Sequence, residues 1–160
     1  MKNPMLAAKV EDLSKLNLTY PVIVQPKYDG IRCLLDTDGV AYSRTLKLIP
    51  NKCIRRMLYN FHEQFTPTFV LDGELWAKHM DYNHIQSIVM SESHPDEHLI
   101  SYVIYDAQIE NMNYQDRWSW LVRNTFPSSR IFRTHYLWGA DYTDLITTEH
   151  IIVNDENYRR

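Results

Sequence analysis

The sequence predicts an α+β fold, with mixed, largely antiparallel sheets flanked by helices. Three observations predict it. Short apolar runs of strand length, such as Pro21-Val22-Ile23-Val24 and Leu99 to Asp106, recur along the chain. Thr37-Asp38-Gly39 between two such runs is a hairpin signal, and hairpins make antiparallel neighbours. Longer segments, such as 51–63, repeat apolar residues at three- and four-residue steps, the period of an amphipathic helix. Strands and helices are therefore interleaved with hairpins, a pattern at odds with a doubly wound parallel sheet.

Residues 4–17 read as a short helical or irregular lead-in, with Leu6, Val10, Leu13 and Leu16 at helical steps, ended by Pro21. Strands are expected at 21–26 and 31–36, on either side of a Lys27-x-Asp29-Gly30 turn, and Val40 to Ser43 returns from the hairpin. Pro50-Asn51 opens a helix over 51–63 whose apolar face is Ile54, Met57, Leu58 and Phe61. Lys52, Arg55 and Arg56 lie off that face, as solvated charges or as phosphate contacts. Thr68 to Leu71 is a strand running into Asp72-Gly73-Glu74. Residues 83–91 are helical with Ile85, Ile88 and Val89 inward, 93–97 is a loop, and Leu99 to Asp106 is a buried strand. A helix from Gln115 packs Trp118, Leu121 and Val122. Ile131 to Trp138 is the last strand, and Asp141 to Val153 the last helix, with Leu145, Ile146, Ile152 and Val153 inward.

The 160 residues suit one domain, which buries roughly 70% of the surface its unfolded chain exposes. A net charge of −3 excludes a coat basic all over, while leaving room for a local basic patch. Cys33 and Cys53 have no CxxC spacing and suggest reduced thiols. No signal peptide is expected after Met1, and no apolar stretch approaches the ~18 residues of a membrane span. A cytoplasmic protein with no membrane partner is expected. His94 and His98 have a helical metal-ligand spacing, but Pro95 argues against a helix there, so no metal ligand is assigned.

Four short elements place polar groups where strands are predicted to end: Lys27-x-Asp29-Gly30-x-Arg32, Ser43-Arg44, Asp72-Gly73-Glu74 and Tyr105-Asp106. A lysine amine is a nucleophile only when neutral, and neighbouring cations such as Arg32 and Arg44, or desolvation, favour that form. The guanidinium forks of Arg32 and Arg44 also match phosphate and ribose oxygens. Glu74 can accept from a ribose hydroxyl or orient a hydrated metal. Tyr105 offers a flat face to a nucleobase, a contact worth ~1–3 kcal/mol. Each part has a plain alternative: Asp-Gly is a common turn, Arg44 a surface arginine, Tyr105 a core tyrosine. As a set they suit attack of Lys27 on a nucleoside triphosphate α-phosphate, giving a phosphoramidate and releasing pyrophosphate.

With these residues in view, nearly the whole chain resembles the covalent nucleotidyltransferases, specifically the ATP-dependent DNA ligases of the small viral and bacteriophage type. Lys27-Tyr28-Asp29-Gly30-Ile31-Arg32 matches the family's lysine motif. Ser43-Arg44-Thr45-Leu46-Lys47 with Ile49-Pro50-Asn51, then Asp72-Gly73-Glu74-Leu75, Tyr102 to Asp106, and Asp116-Arg117 are similar to the motifs that follow. The resemblance implies the covalent nucleotidyltransferase fold, related to ATP-grasp. It implies that Lys27 accepts AMP from ATP with Mg²⁺ assistance. Arg32 and Glu74 then hold the ribose side, Arg44 the phosphate side and Tyr105 the adenine. The implied partner is nicked double-stranded DNA, whose 5′-phosphate takes the AMP and whose 3′-hydroxyl displaces it. An RNA ligase or a capping guanylyltransferase shares the lysine motif, and the Ser-Arg-Thr-Leu-Lys stretch favours a DNA ligase over both.

The family's Glu-Gly motif, its lysine pair and its OB fold have no match before Arg160. Residues 1–160 are thus expected to form a single, partial adenylation domain with an open cleft beside Lys27 and an unfinished sheet edge. The expected activity is either that of an enzyme or that of a split or deficient fragment that binds nucleotide or DNA, with a second polypeptide supplying the missing motifs.

Overall fold

The computed structural model describes residues 3–6, 12–125 and 128–145. These fall into two compact units, one built on Tyr28–Thr134 and the other joining 12–27 to 135–145.

The larger unit is organised on a five-stranded sheet. Its strands are β2 (Ile31–Leu35), β3 (Ala41–Ser43), β4 (Leu71–Trp76), β5 (Ser101–Ala107) and β6 (Ile131–Arg133), in the spatial order β3-β2-β4-β5-β6. Every neighbouring pair is antiparallel except β5 with β6. The sheet is therefore mixed and mostly antiparallel, as predicted. The β2–β3 hairpin turns at Gly39, whose φ of 77° is the left-handed conformation that glycine adopts without a Cβ penalty. The Asp36 carboxylate closes this turn by accepting from the amides of Asp38 and Val40, at 3.0 and 2.8 Å.

Helix α1 (Lys52–Phe65) starts where Asn51 Oδ1 accepts the Ile54 amide at 3.0 Å, an N-cap at the helix start expected from Pro50-Asn51. It buries Ile54, Leu58, Phe61 and His62. Helix α2 (Tyr82–Val89) packs Ile85, Ile88 and Val89 toward β2 and β4, and α3 (Tyr114–Asn124) packs Trp118 and Leu121 toward β5. The sheet itself buries Leu34, Leu35, Leu71, Leu75 and Ile104. Each such side chain is worth about 1.5–3 kcal/mol against exposure. Among the described residues no helix is long and apolar enough to cross a membrane.

The smaller unit holds a two-stranded antiparallel sheet of β1 (Val22–Val24) and β7 (Leu137–Gly139), with Val22 opposite Gly139 and Val24 opposite Leu137. A 3-10 turn covers Leu13–Lys15.

Four expectations need correction or a limit. The strands on either side of Lys27-x-Asp29-Gly30 do not pair, since β1 and β2 belong to different sheets. The run from Ile131 to Trp138 is two strands, β6 and β7, again in different sheets. β-Favouring side chains record fitness for a pleated surface and not the identity of the partner. Val122 is exposed, because Trp118, Leu121 and Thr125 hold the buried line of α3 and Val122 is turned off it. Of the last helix, residues 142–145 are helical and Leu145 is buried. Ile146, Ile152 and Val153, like Val10 near the start, lie outside the described residues.

Cys33 sits in the middle of β2, fully buried, and burial pushes its thiol far above the usual range, with Asp72 and Glu74 adding to the shift. Cys53 on α1 is partly exposed. Because the thiolate is the reactive form, Ellman's reagent is expected to titrate Cys53 in the native protein and Cys33 only after denaturation. Release of both thiols without denaturant would contradict this burial.

Candidate active site

The β2–β4 register sets Arg32 directly opposite Glu74. Opposed residues of an antiparallel pair project to the same face, and so does Asp72, two residues before Glu74. Arg32 grips Asp72 in a fork: Nε donates to Oδ1 at 2.9 Å and Nη2 to Oδ2 at 2.6 Å. Asp72 is 4% exposed. Burial pushes its carboxyl up, the Arg32 guanidinium pulls it back, and the two-pronged geometry is that of an ionised pair.

Tyr105 reaches this face through a bulge. Asp72 is opposite Asp106 and Gly73 is opposite Ile104, so Tyr105 is an extra residue on β5 with no partner across the ladder. Bulges re-aim a side chain and recur beside active sites. The Tyr105 hydroxyl donates to Glu74 Oε2 at 3.4 Å, and the Arg32 guanidinium lies 5.6 Å from its ring centroid. Burial, reinforced by Asp72 and Glu74, pushes the phenol far up, so it stays a neutral donor.

Gly73 is required by a close approach inside a strand, not by a turn. The buried Tyr102 ring crosses over it, and its hydroxyl donates to the carbonyls of Cys33 and Leu71 at 3.2 and 3.1 Å. A Cβ at Gly73 would lie 2.4 Å from the Val103 carbonyl oxygen and 2.6 Å from Tyr102 Cε2. Neither can retreat, so Gly73→Ala is expected to cost about 3 kcal/mol, the upper end for overpacking. A Cβ at Gly139 would meet a Val22 methyl at 3.3 Å and the Leu145 backbone at 3.5 Å, so Gly139→Ala is milder. Guanidinium unfolding of the two variants should separate them clearly, and equal losses would contradict the crossing. Gly30 answers a similar need, since its Cβ would lie 2.3 Å from the Leu75 carbonyl oxygen where the chain enters β2.

A further layer fixes the Tyr105-Asp106 backbone. Arg117 Nε and Nη2 donate to the two Asp106 oxygens at 2.7 and 2.8 Å, and its Nη1 donates to the Met112 carbonyl at 2.8 Å. The Tyr114 hydroxyl donates to the Tyr105 carbonyl at 2.8 Å. Asn113 caps α3 by accepting the Asp116 amide at 3.0 Å, which sets the helix start that carries Tyr114 and Arg117.

Of the residues the sequence singles out, Arg32, Glu74 and Tyr105 are thus brought together on one face. Arg44 stands apart, exposed in the turn after β3, where the Leu46 amide donates to the Ser43 carbonyl at 2.9 Å. Lys27 is exposed, closes the smaller unit, and is joined to Arg32 by the chain through Tyr28-Asp29-Gly30. The sequence reasoning overlooked Asp72 as the partner of Arg32, and Tyr114 and Arg117 as supports of Tyr105. Their only sequence signal is position: an acid immediately before Gly73-Glu74, and a Tyr and an Arg in the first turn of the helix that follows Tyr105-Asp106. A cation held by its own acid, a carboxylate and a half-buried phenol ring on one face can hydrogen-bond hydroxyls and cover a flat ring.

No curated protein matches the chain in sequence. Among solved structures, the Chlorella virus DNA ligase-adenylate is similar at a TM-score of 0.76 and 23% identity, over 94% of this chain and 55% of that one. A Lig E DNA ligase is similar at 0.71 and 18%, over 94% and 58%. The bacteriophage T7 ATP-dependent DNA ligase in complex with ATP is similar at 0.52 and 19%, over 80% and 52%. The chain spans little more than half the length of these proteins, and at these identities the likeness is one of fold. The sequence profile of the ATP dependent DNA ligase domain matches residues 4–131. The chain belongs to the ATP-dependent DNA ligase domain family.

Proposed function

We propose that the chain forms the adenylate of an ATP-dependent DNA ligase. The Lys27 amine attacks the α-phosphorus of ATP, a P–N bond forms, and the bond to the leaving pyrophosphate breaks. The AMP then passes to the 5′-phosphate of nicked double-stranded DNA, and the 3′-hydroxyl displaces it. The observation that carries this reading is the grouping of Arg32, Glu74 and Tyr105 on one sheet face in a chain of this family.

The roles follow from the chemistry of each group. Glu74 accepts from the ribose hydroxyls. Arg32, oriented in advance by Asp72, donates on the ribose side without the cost of fixing its fork at binding. The Tyr105 ring covers the adenine, and Arg44 meets phosphate oxygens. Tyr114 and Arg117 act through Tyr105 and Asp106 as positioning residues. The donor set fits Mg²⁺, which takes a carboxylate oxygen alongside substrate phosphates. Glu74 would supply that oxygen, while Asp72 and Asp106 are held by Arg32 and Arg117. A bound Mg²⁺ neutralises charge on the phosphates.

Incubation with Mg²⁺ and ATP labelled at the α-phosphate should leave label on the protein in a denaturing gel, and label at the γ-phosphate should leave none. Transfer of the label to nicked DNA in preference to nicked RNA, and no label from GTP, would set the chain apart from RNA ligases and capping enzymes. An unlabelled wild-type protein would overturn the proposal.

A further inference from the structure

In the larger unit, the first turn of α2 and the loop ahead of β5 bring together three metal-ligating side chains: His84, His94 and Asp96. His84 Nε2 lies 3.1 Å from Asp96 Oδ2, and His94 Nδ1 lies 3.9 Å from the same oxygen. One ligand atom from each residue lies within 4.8 Å of the other two. The two imidazoles meet edge to face with centroids 5.8 Å apart. Ligands at ~2.0–2.2 Å around a tetrahedral ion sit roughly 3.3 Å from one another, so small side-chain rotations close this set around one ion.

The backbone beneath these ligands is held by other contacts. Asp81 Oδ1 accepts the His84 amide at 2.9 Å. Glu97 Oε2 accepts the His94 amide at 2.8 Å and is itself held by Asn51 Nδ2 at 3.1 Å. The Asp96 amide points at His94 Nδ1 from 3.1 Å, which makes that nitrogen a lone-pair acceptor, the form that ligates metals. The Asp96 carboxylate lies 3.9 Å from that nitrogen, too far for a hydrogen bond. The His84–Asp96 contact uses one imidazole and the Asp96 amide orients the other, so both rings are brought to one carboxylate. A cation among the three accounts for both, with the Asp96 amide bond exchanged for a metal bond.

We propose that His84, His94 and Asp96 bind a divalent transition metal of the zinc class. Two imidazoles and a carboxylate are the donor set of such an ion, with water in the fourth position. The three side chains are 42%, 24% and 38% exposed, so ion and water reach them in the folded state. The bound ion clasps the start of α2 to the loop before β5. His98 is not part of the site despite its spacing from His94, because its Nδ1 lies against the Pro95 carbonyl at 3.0 Å.

Cobalt(II), a coloured stand-in for zinc, tests this on the untagged full chain after chelator treatment, with Mg²⁺ in excess to occupy oxygen-only sites. Visible d–d absorption should grow to saturation at one equivalent in the wild type and in His98→Ala, and Zn²⁺ should abolish it. His84→Ala and His94→Ala should each weaken cobalt binding by about tenfold or more, and both lie at partly exposed positions where folding is retained. Absence of the band in the wild type overturns the proposal. So does a band that persists unchanged in both histidine variants, or one lost equally in His98→Ala.

Discussion

Lys27→Ala is expected to lose protein-bound AMP entirely while remaining folded. The P–N bond requires an amine, and alanine has none. Lys27→Arg should be equally silent, because a guanidinium keeps the positive charge but does not deprotonate to become a nucleophile. The arginine variant thus separates a nucleophile from a mere phosphate-binding cation. Lys27 is exposed, so neither change should move stability by more than about 0.5 kcal/mol. Denaturing gels after incubation with α-labelled ATP check the first point, and thermal unfolding checks the second. Label at the wild-type level in Lys27→Ala would assign the nucleophile elsewhere.

Asp72→Ala is expected to cost about 3–5 kcal/mol of folding stability, the range for breaking a buried ion pair by removing one partner. The Arg32 side chain is 20% exposed and Asp72 only 5%, so the guanidinium would keep its charge where water reaches it poorly. Both prongs of the fork would be lost at once. Replacing the two residues together, as Arg32→Met with Asp72→Leu, removes the charge along with its partner and should recover most of the loss. Chemical denaturation of the two single variants and the double variant forms the cycle that isolates the pair. A loss below about 1 kcal/mol in Asp72→Ala would class the pair with ordinary surface salt bridges. The same variant should weaken nucleotide binding, since Arg32 would no longer be held in orientation beside Glu74.

Much of the molecule was legible before its structure. The helix start at Asn51, most of the buried face of α1, that of α2, the hairpin at Gly39 and the strand from Ser101 all follow from local chemistry. Arg32, Glu74 and Tyr105 could be singled out because unlike polar groups recur near predicted strands in a fixed order. What could not be read is how those strands meet. Gly73 looked like a turn residue, yet it lies inside β4, and its lack of a Cβ serves Tyr102, which crosses from the next strand. Asp72 looked like part of the same turn, and only the β2–β4 register turns it toward Arg32.

The Lys-x-Asp-Gly stretch was similarly half legible. Its residues point to a nucleophile beside a tight backbone position, and Gly30 is indeed pressed against the Leu75 carbonyl. The strands expected on either side of it are present, but they belong to different sheets. Turn chemistry is encoded over a few residues, whereas β1 finds its partner in β7, more than a hundred residues on.

By itself, then, the sequence determined the α+β class, the positions of most elements and the set of chemical groups. Periodicity, capping and turn preference act over spans of a few residues and are written locally. Only the tertiary structure decided which strands pair, where the β5 bulge turns Tyr105 toward Glu74, and that His84 rather than His98 meets His94. Each of these rests on contacts between separate elements, where register, burial and the pairing of charges are settled by packing.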